Sequence, residues 1–154
     1  MAHIHEKIDF TVTVFVVYRH KVLLRKHEKY GLWLAPGGHV ELDEDPTQAA
    51  LREVKEEVGL DLILVGNPIP PIVGTKRYRQ LLPPKYLNRH IADNNGHEHV
   101  DSVYFARSET DVIIPEDPSD ECRWLTKEEV EKNELSIPED VRWYALDALK
   151  ELAS

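Results

Sequence analysis

The chain has little cysteine, few basic residues and no long apolar run, and each shortage excludes a class of protein. Its one cysteine, Cys122, cannot form an internal disulfide, which fits a reducing compartment. No apolar run approaches the roughly 20 residues that a membrane helix needs. With 19 lysines and arginines against 28 aspartates and glutamates, the net charge of −9 argues against stable nucleic-acid binding. A small anionic ligand is compatible with this charge, because local cations or a metal ion can neutralise it.

The amino-terminal stretch Met-Ala-His-Ile-His-Glu also lacks the cationic and apolar regions of a secretory signal. The 154 residues suffice for one domain with a sizeable core, and they contain no internal repeat or low-complexity linker. We therefore expect a single domain over residues 1–154, located in the cytoplasm and without membrane contact.

The first 38 residues predict a strand pair that leads into a glycine-rich loop. Residues 8–18 alternate and then run apolar, with many β-branched and aromatic types, which is typical of a central strand. Residues 21–25 predict a second strand that pairs back, and residues 32–34 predict a short extended piece. Pro36-Gly37-Gly38 predicts a tight loop, because proline and glycine do not easily continue a regular element.

A helix is predicted directly after this loop. Asp45 is a good N-cap, Pro46 suits the first helical position, and Gln48 stands where a capping-box partner would. Gly59 ends the helix by permitting a left-handed residue. At about 100° per residue, one arc of the helix forms a buried stripe, made of Thr47, Ala50, Leu51, Val54 and Val58.

A separate arc of the same helix carries three carboxylates, Glu53, Glu56 and Glu57. At these spacings they repel one another by a few tenths of a kcal/mol per pair, and Arg52 offsets part of this. A bare acidic run of this kind is often only a solvated face. A Mg²⁺ ion would also remove the repulsion, because it takes oxygen ligands from a few carboxylates and leaves positions for water and phosphate.

Residues 38–60 read G-x5-E-x7-R-E-V-x-E-E-x-G-L, and this stretch resembles the Nudix box at all nine specified positions. The strand, hairpin, loop and helix before and within it also resemble the first half of a Nudix domain. The resemblance implies a MutT-like Nudix hydrolase with an α+β fold, in which a mixed β-sheet lies between helices (α/β/α). It also implies Mg²⁺-dependent attack of water on a phosphoanhydride, with Mn²⁺ as a possible substitute.

The resemblance also implies roles within the box. The Gly38 carbonyl is a plausible metal ligand, because glycine lets the backbone approach a metal. Glu57 and Glu53 are the first choices for carboxylate ligands, with Glu56 next. Arg52 is implied to orient these glutamates. One carboxylate takes the proton from water, and the residues do not indicate which.

Some Nudix enzymes add a carboxylate from beyond the box. Glu98 is the first candidate for that role, and Asp101 the second. His97-Glu98-His99 also suggests a transition-metal site, but the sequence shows no third ligand. Strand alternation further places Glu98 on the opposite face from both histidines.

Three arginines are candidates for contact with a substrate phosphate: Arg25, Arg77 and Arg79. Arg25 lies on the strand that leads into the glycine loop, although a lone arginine there is often a surface charge. Residues 76–79 form either a cationic rim for the polyphosphate or a solvated edge strand. Tyr30 and Trp33 are interpreted as core or rim aromatics, or as side chains that stack on a base.

The second half predicts four further strands, over residues 61–65, 85–93, 97–106 and 121–125. Connecting segments are predicted as a loop over residues 66–74, a hairpin turn at 94–96 and a short edge at 112–114. Capping boxes at Thr126 with Glu129, and at Ser136 with Glu139, predict two closing helices. The last helix is expected to bury one stripe: Val141, Ala145, Leu146, Leu149 and Leu152.

The Nudix box does not choose a substrate. The short chain favours a nucleoside triphosphate, and ADP-ribose or a nucleotide sugar is the alternative within the class. A Nudix-fold module that senses a nucleotide without hydrolysing it is the alternative outside it, although such a module has no need of three mutually repelling glutamates. A small nucleotide is therefore the expected partner, and the sequence leaves a homodimer open.

Overall fold

The computed structural model describes residues 6–66 and 74–153. The loop predicted over 66–74 and the amino-terminal stretch considered for a secretory signal lie almost wholly outside these residues. Eight strands and three helices follow one another along the described chain: β1 (Ile8–Tyr18), β2 (Lys21–Lys26), β3 (Trp33–Leu34), β4 (Gly37–His39), α1 (Pro46–Val58), β5 (Leu62–Val65), β6 (Tyr86–Ile91), β7 (Glu98–Ser108), β8 (Cys122–Thr126), α2 (Lys127–Lys132) and α3 (Glu139–Leu152). The predicted strands and helices are therefore confirmed, with shifts of a few residues at their ends.

The strands form one mixed sheet with the order β3-β2-β1-β7-β5. Strand β4 pairs with β1, β6 pairs with β7, and β8 pairs with β2. The long central pair β1–β7 is parallel, with Thr11 opposite Asp101, whereas the other pairs are antiparallel. This arrangement places the first and second halves of the chain side by side at the centre of the sheet.

Alternate residues of β1 enter two different apolar cores. Val12, Val14 and Val16 pack with the buried residues of α1 on one face of the sheet. Phe15 and Val17 pack with the buried residues of α3 on the other face. Because strand side chains alternate between faces, a strand that buries residues on both faces needs a helix layer on each side. The predicted α/β/α arrangement is confirmed. Among the described residues, no helix is both long and apolar enough to cross a membrane.

The predicted ends of α1 are confirmed, but its buried stripe is displaced. Asp45 and Gln48 form a capping box, and Gly59 closes the helix in the left-handed conformation at φ 73°. Leu51, predicted to be buried, is 42% exposed. The buried face is centred further round the helix and includes Glu53 and Glu57. The error arose because the prediction counted only apolar residues as buried.

Two local predictions were wrong, the tight loop at residues 36–38 and the short edge at residues 112–114. Gly37–His39 forms strand β4, which pairs with β1, instead of a loop. Glycine permits this close pairing, because a Cβ at Gly37 would overlap the carbonyl oxygen of Val12. Residues 112–114 are not a strand, although the Ile114 N–H donates to the Val58 carbonyl.

The capping box predicted at Ser136 is also absent. Helix α3 has Pro138 as its N-cap, and this residue offers no side-chain hydrogen bond. The Asn133 side chain instead fixes the backbone just before the helix. It accepts a hydrogen bond from the Ile137 N–H and donates one to the Ile137 carbonyl. The capping box predicted at Thr126 is confirmed.

Candidate active site

Two carboxylic groups of α1 lie buried side by side at one end of the sheet. Glu53 is 3% exposed and Glu57 is 8% exposed. Each carboxyl group affects the ionisation of the other, and the charge of Glu53 helps to raise the pKa of Glu57. Burial raises the pKa of both groups, and it brings that of Glu57 to about 8 although Arg25 opposes the shift. Without a cation, the pair therefore retains a proton at neutral pH.

The backbone of β4 passes directly over this pair. The backbone at Gly37 favours the ionised form of Glu57 and so partly offsets the rise in its pKa. A Cβ at Gly38 would overlap the carboxylate of Glu53, so only glycine leaves room for the acid in this position. The strand and the helix are thus packed as closely as the backbone allows, and Glu53 is held against main-chain atoms.

Arg52 joins the helix to the loop before it. Its guanidinium donates to Glu44 at 2.6 and 3.0 Å, and to the carbonyl oxygen of His39 at 3.0 Å. It also donates to Glu53 at 3.0 Å and to Glu56 at 3.2 Å. The planar fork of arginine makes this set of contacts possible, and lysine could not reproduce it. Glu56 differs from the buried pair, because its side chain is 53% exposed.

Arg25 of β2 lies inside the site and bridges two acids. Its Nη1 donates to Glu57 at 2.8 Å and its Nη2 donates to Asp120 at 3.2 Å. The guanidinium therefore brings Asp120, from the loop before β8, close to the carboxylates of α1. The sequence reasoning did not single out Asp120. The acidic run before a predicted strand, which contains Glu116, Asp117, Asp120 and Glu121, was the available signal.

A cleft of about 630 Å³ opens over these residues. The residues that line it include Arg25, Gly38, Glu57, Tyr30 and His27. The rings of Tyr30 and His27 stack at 4.8 Å. This volume is within the range of small-molecule sites. The cleft thus combines carboxylates, an arginine and an exposed aromatic ring.

The family model of the NUDIX domain matches residues 8–147. The chain belongs to the Nudix family of hydrolases. The match includes every strand and helix described above except the end of α3. Both the Nudix box on α1 and the acidic loop that carries Asp120 are within it.

A solved structure of a Nudix-family hydrolase from Clostridium perfringens is 32% identical to this chain. Its TM-score is 0.80, and the match covers 93% of this chain and 97% of that one. The structure of the MutT protein from Bacillus halodurans shares the fold, with a TM-score of 0.63, 21% identity and coverage of 92% and 82%.

Curated relatives match over shorter segments. An m7GpppN-mRNA hydrolase of Xenopus laevis is 44% identical over 61 residues, which are 36% of this chain and 21% of that protein. An 8-oxo-dGTP diphosphatase of Proteus vulgaris is 53% identical over 32 residues, which are 21% of this chain and 29% of that protein. The matched segments thus span only about a fifth to three tenths of those relatives.

Nudix hydrolases generally use divalent metal ions, and the residues of this box fit such an ion. Burial favours a protonated form of the Glu53 and Glu57 pair when no cation is bound. A cation can replace that proton and neutralise the charge of the two carboxylates. Their donors are oxygen atoms, as hard divalent cations prefer. Gly38 has no side chain, so its main-chain atoms lie directly beside the carboxylate of Glu53.

Three of the predicted site residues lie apart from the cleft. Glu98 forms a two-point ion pair with Arg89, at 2.6 and 2.8 Å. Arg79 donates to Asp45 at 2.8 Å and is largely exposed, and Arg77 lies in the exposed turn beside it. The other predicted site residues lie together in the structure: Arg25, Gly38, Arg52, Glu53, Glu56 and Glu57.

Asp101 lines the cleft but already has two donors. It accepts from the hydroxyl groups of Thr11 and Thr13, each at 2.8 Å. These bonds occupy both of its oxygen atoms and connect β7 with β1. The two aromatic candidates also separate: Tyr30 lines the cleft, whereas Trp33 is buried in the core below α3.

Four potential metal ligands meet at the start of β1, the end of β4 and the start of β7. We call them the histidine cluster: Asp9, His39, His97 and His99. One ligand atom of each lies within 4.8 Å of those of the others. The structure thus adds Asp9 and His39 as potential ligands beside His97 and His99, which the sequence alone did not reveal. The parallel register of β1 with β7, and the pairing of β4 with β1, supply ligands that are distant in sequence.

Proposed function

We propose that this Nudix chain hydrolyses a phosphoanhydride bond of a small nucleotide, with a nucleoside triphosphate as the preferred substrate and Mg²⁺ as the cofactor. The observation that carries the proposal is the burial of two adjacent carboxylates, Glu53 and Glu57, against strand β4, whose glycine at 38 leaves room for the Glu53 side chain. A binding module gains nothing from such an arrangement, because burying two acids together costs free energy.

The carboxylates of Glu53 and Glu57, with the Gly38 carbonyl, are the proposed ligands of Mg²⁺, and Glu56 lies at the solvent side of the same set. Bound Mg²⁺ would supply charge neutralisation of the phosphates and acidify a coordinated water. Arg52 holds Glu53 and Glu56 in place through its hydrogen bonds, so we assign it a positioning role.

We assign the carboxylate from beyond the box to Asp120 instead of Glu98. Arg25 holds Asp120 and Glu57 on one guanidinium, so Asp120 lies beside the carboxylates of α1. Glu98 pairs with Arg89 elsewhere. Asp120 is therefore the best placed of these acids to accept a proton from water or to add negative charge at the metal.

The substrate is oriented in this proposal by charge and stacking. Phosphates lie near Arg25, which can exchange a carboxylate partner for a phosphate oxygen. The base lies against Tyr30, whose ring is half exposed on the cleft. The local similarity to an 8-oxo-dGTP diphosphatase supports a nucleoside triphosphate over a nucleotide sugar.

The test measures phosphate and pyrophosphate release from normal and oxidised nucleoside triphosphates, ADP-ribose, a nucleotide sugar, a dinucleoside polyphosphate and a capped RNA. Each substrate is assayed with Mg²⁺ and with chelator. Wild type, Glu57→Gln and the matched control Glu98→Gln are compared. We expect metal-dependent turnover that falls at least about 100-fold in Glu57→Gln and persists in Glu98→Gln. Binding of a nucleotide without turnover in wild type would instead indicate a sensing module.

A further inference from the structure

The histidine cluster is a set of nitrogen and oxygen donors that differs in kind from the carboxylates of the Nudix box. Asp9 and His97 are buried, and His39 and His99 are half-buried. A buried carboxylate among imidazoles requires compensation for the loss of water. Imidazole nitrogen suits zinc and neighbouring transition metals, whereas Mg²⁺ prefers oxygen.

The spacing of the donors fits a tetrahedral ion. In a zinc site with Zn–N and Zn–O bonds of about 2.0–2.1 Å, neighbouring ligand atoms are about 3.3 Å apart. Oδ2 of Asp9 lies 3.2 Å from Nε2 of His39 and 3.1 Å from Nε2 of His97. Two of the ligand separations therefore already have the required length.

His99 completes the set. Its Nε2 is buried and has no hydrogen-bond partner among the described residues. Its ring centroid lies 5.1 Å from that of His39 and 5.4 Å from that of His97, with the rings nearly perpendicular. An imidazole with the ordinary histidine pKa of about 6.5 is mostly neutral at physiological pH. A neutral imidazole offers the lone pair that a metal requires.

We propose that the histidine cluster binds one divalent transition-metal ion of the zinc type, at a site separate from the Mg²⁺ carboxylates. Four protein ligands close a tetrahedral coordination shell, which is typical of a structural ion. The ion would join the start of β1, the end of β4 and the start of β7. Because His39 directly follows Gly38, it would also fix the strand that passes over Glu53.

The experiment uses Co²⁺ as a visible probe of the full chain after removal of metal with chelator. Co²⁺ is titrated into wild type and Glu57→Gln in excess Mg²⁺. We expect both proteins to bind one equivalent with the absorption bands of four-coordinate Co²⁺, and Zn²⁺ to abolish these bands. Since Glu57→Gln removes a ligand of the other site, this readout is independent of hydrolysis and of the proposed function.

Variants locate the ion. His99→Gln is expected to weaken Co²⁺ binding by roughly 100-fold or more. His90→Gln is the matched control, because its ring lies 5.3 Å from that of His99 but outside the cluster. Zn²⁺ should raise the Tm of wild type and His90→Gln, and leave that of His99→Gln unchanged. If His99→Gln does not fold without metal, as judged by circular dichroism, His39→Gln replaces it.

Four results would overturn the proposal. The first is absence of Co²⁺ binding in excess Mg²⁺, and the second is loss of the bands in Glu57→Gln. The third is loss of the bands in a His3→Gln/His5→Gln variant, because those histidines lie outside the described residues. Retention of full affinity in both cluster variants would contradict it as well.

Discussion

Replacing Glu57 by glutamine should make the metal-free protein more stable at neutral pH, although it removes a proposed metal ligand. Burial raises the pKa of Glu57 from an ordinary value of 4.5 to about 8 in the folded protein. Between these values the folded state keeps a proton that the unfolded state releases. The free energy of unfolding of wild type therefore falls as the pH rises through this window. Glutamine does not ionise in either state, so the variant does not lose this stability.

The size of the effect follows from the pKa difference. At pH 7 the unfolded carboxyl group is about 2.5 pH units above its ordinary pKa, and each unit corresponds to about 1.36 kcal/mol. The variant should therefore gain at most about 3 kcal/mol at pH 7 and nothing at pH 4. For a chain of this size, that limit corresponds to a rise in Tm of about 6–12 °C.

Urea unfolding with chelator, at intervals from pH 4 to pH 8, measures the effect. The matched control is Glu56→Gln, whose side chain is 53% exposed in wild type and whose loss should change stability by less than about 0.5 kcal/mol. Mg²⁺ should stabilise wild type and have little effect on Glu57→Gln, because the ion takes the place of the proton. The reasoning is refuted if the variant is no more stable than wild type at pH 7, or if their difference does not change with pH.

Four further substitutions test the geometry of the site. Gly38→Ala places a methyl group on the carboxylate of Glu53, so it should reduce metal-dependent turnover at least about 10-fold and weaken Mg²⁺ binding, measured by calorimetry. Arg52→Lys loses the planar fork and should lower kcat about 10- to 100-fold with little change in KM; equal activity would show that the glutamates need no such support. Asp120→Asn should lower kcat by a similar factor. Asp101→Asn should chiefly lower the Tm, because it breaks the contacts of β7 with β1. The reverse pattern would exchange the roles assigned to the two aspartates.

The features predicted correctly from the sequence are those that short-range chemistry determines. Asp45, Gln48 and Gly59 define the ends of α1 through contacts within a few residues, and the structure has each of them. The apolar run of β1 likewise predicted a central strand. Leu51 shows where the same logic fails, because α1 buries acids at the cleft and turns this leucine towards solvent.

The features missed from the sequence depend on pairing between distant segments. Glu98 and Asp101 are three residues apart on β7, so they lie on opposite faces, and only the pairing with Arg89 shows that Glu98 is engaged elsewhere. The histidine cluster needs the register of three strands. Asp120 is held at the site by its contact with Arg25, and a sequence motif does not encode this contact.

The parallel pairing of β1 with β7 has a consequence for how the protein folds. The hydrogen bond from Thr11 to Asp101 spans 90 residues, and it belongs to the longest strand pair of the sheet. The chain must close a large loop before this pair forms, and such closure slows folding more than it lowers stability. The cleft wall that contains Thr11 and Asp101 therefore forms only after the chain has been synthesised as far as β7, which ends at Ser108 of the 154 residues. A nascent chain that ends after α1 already carries Glu53 and Glu57, but as acids on a helix without a substrate cleft.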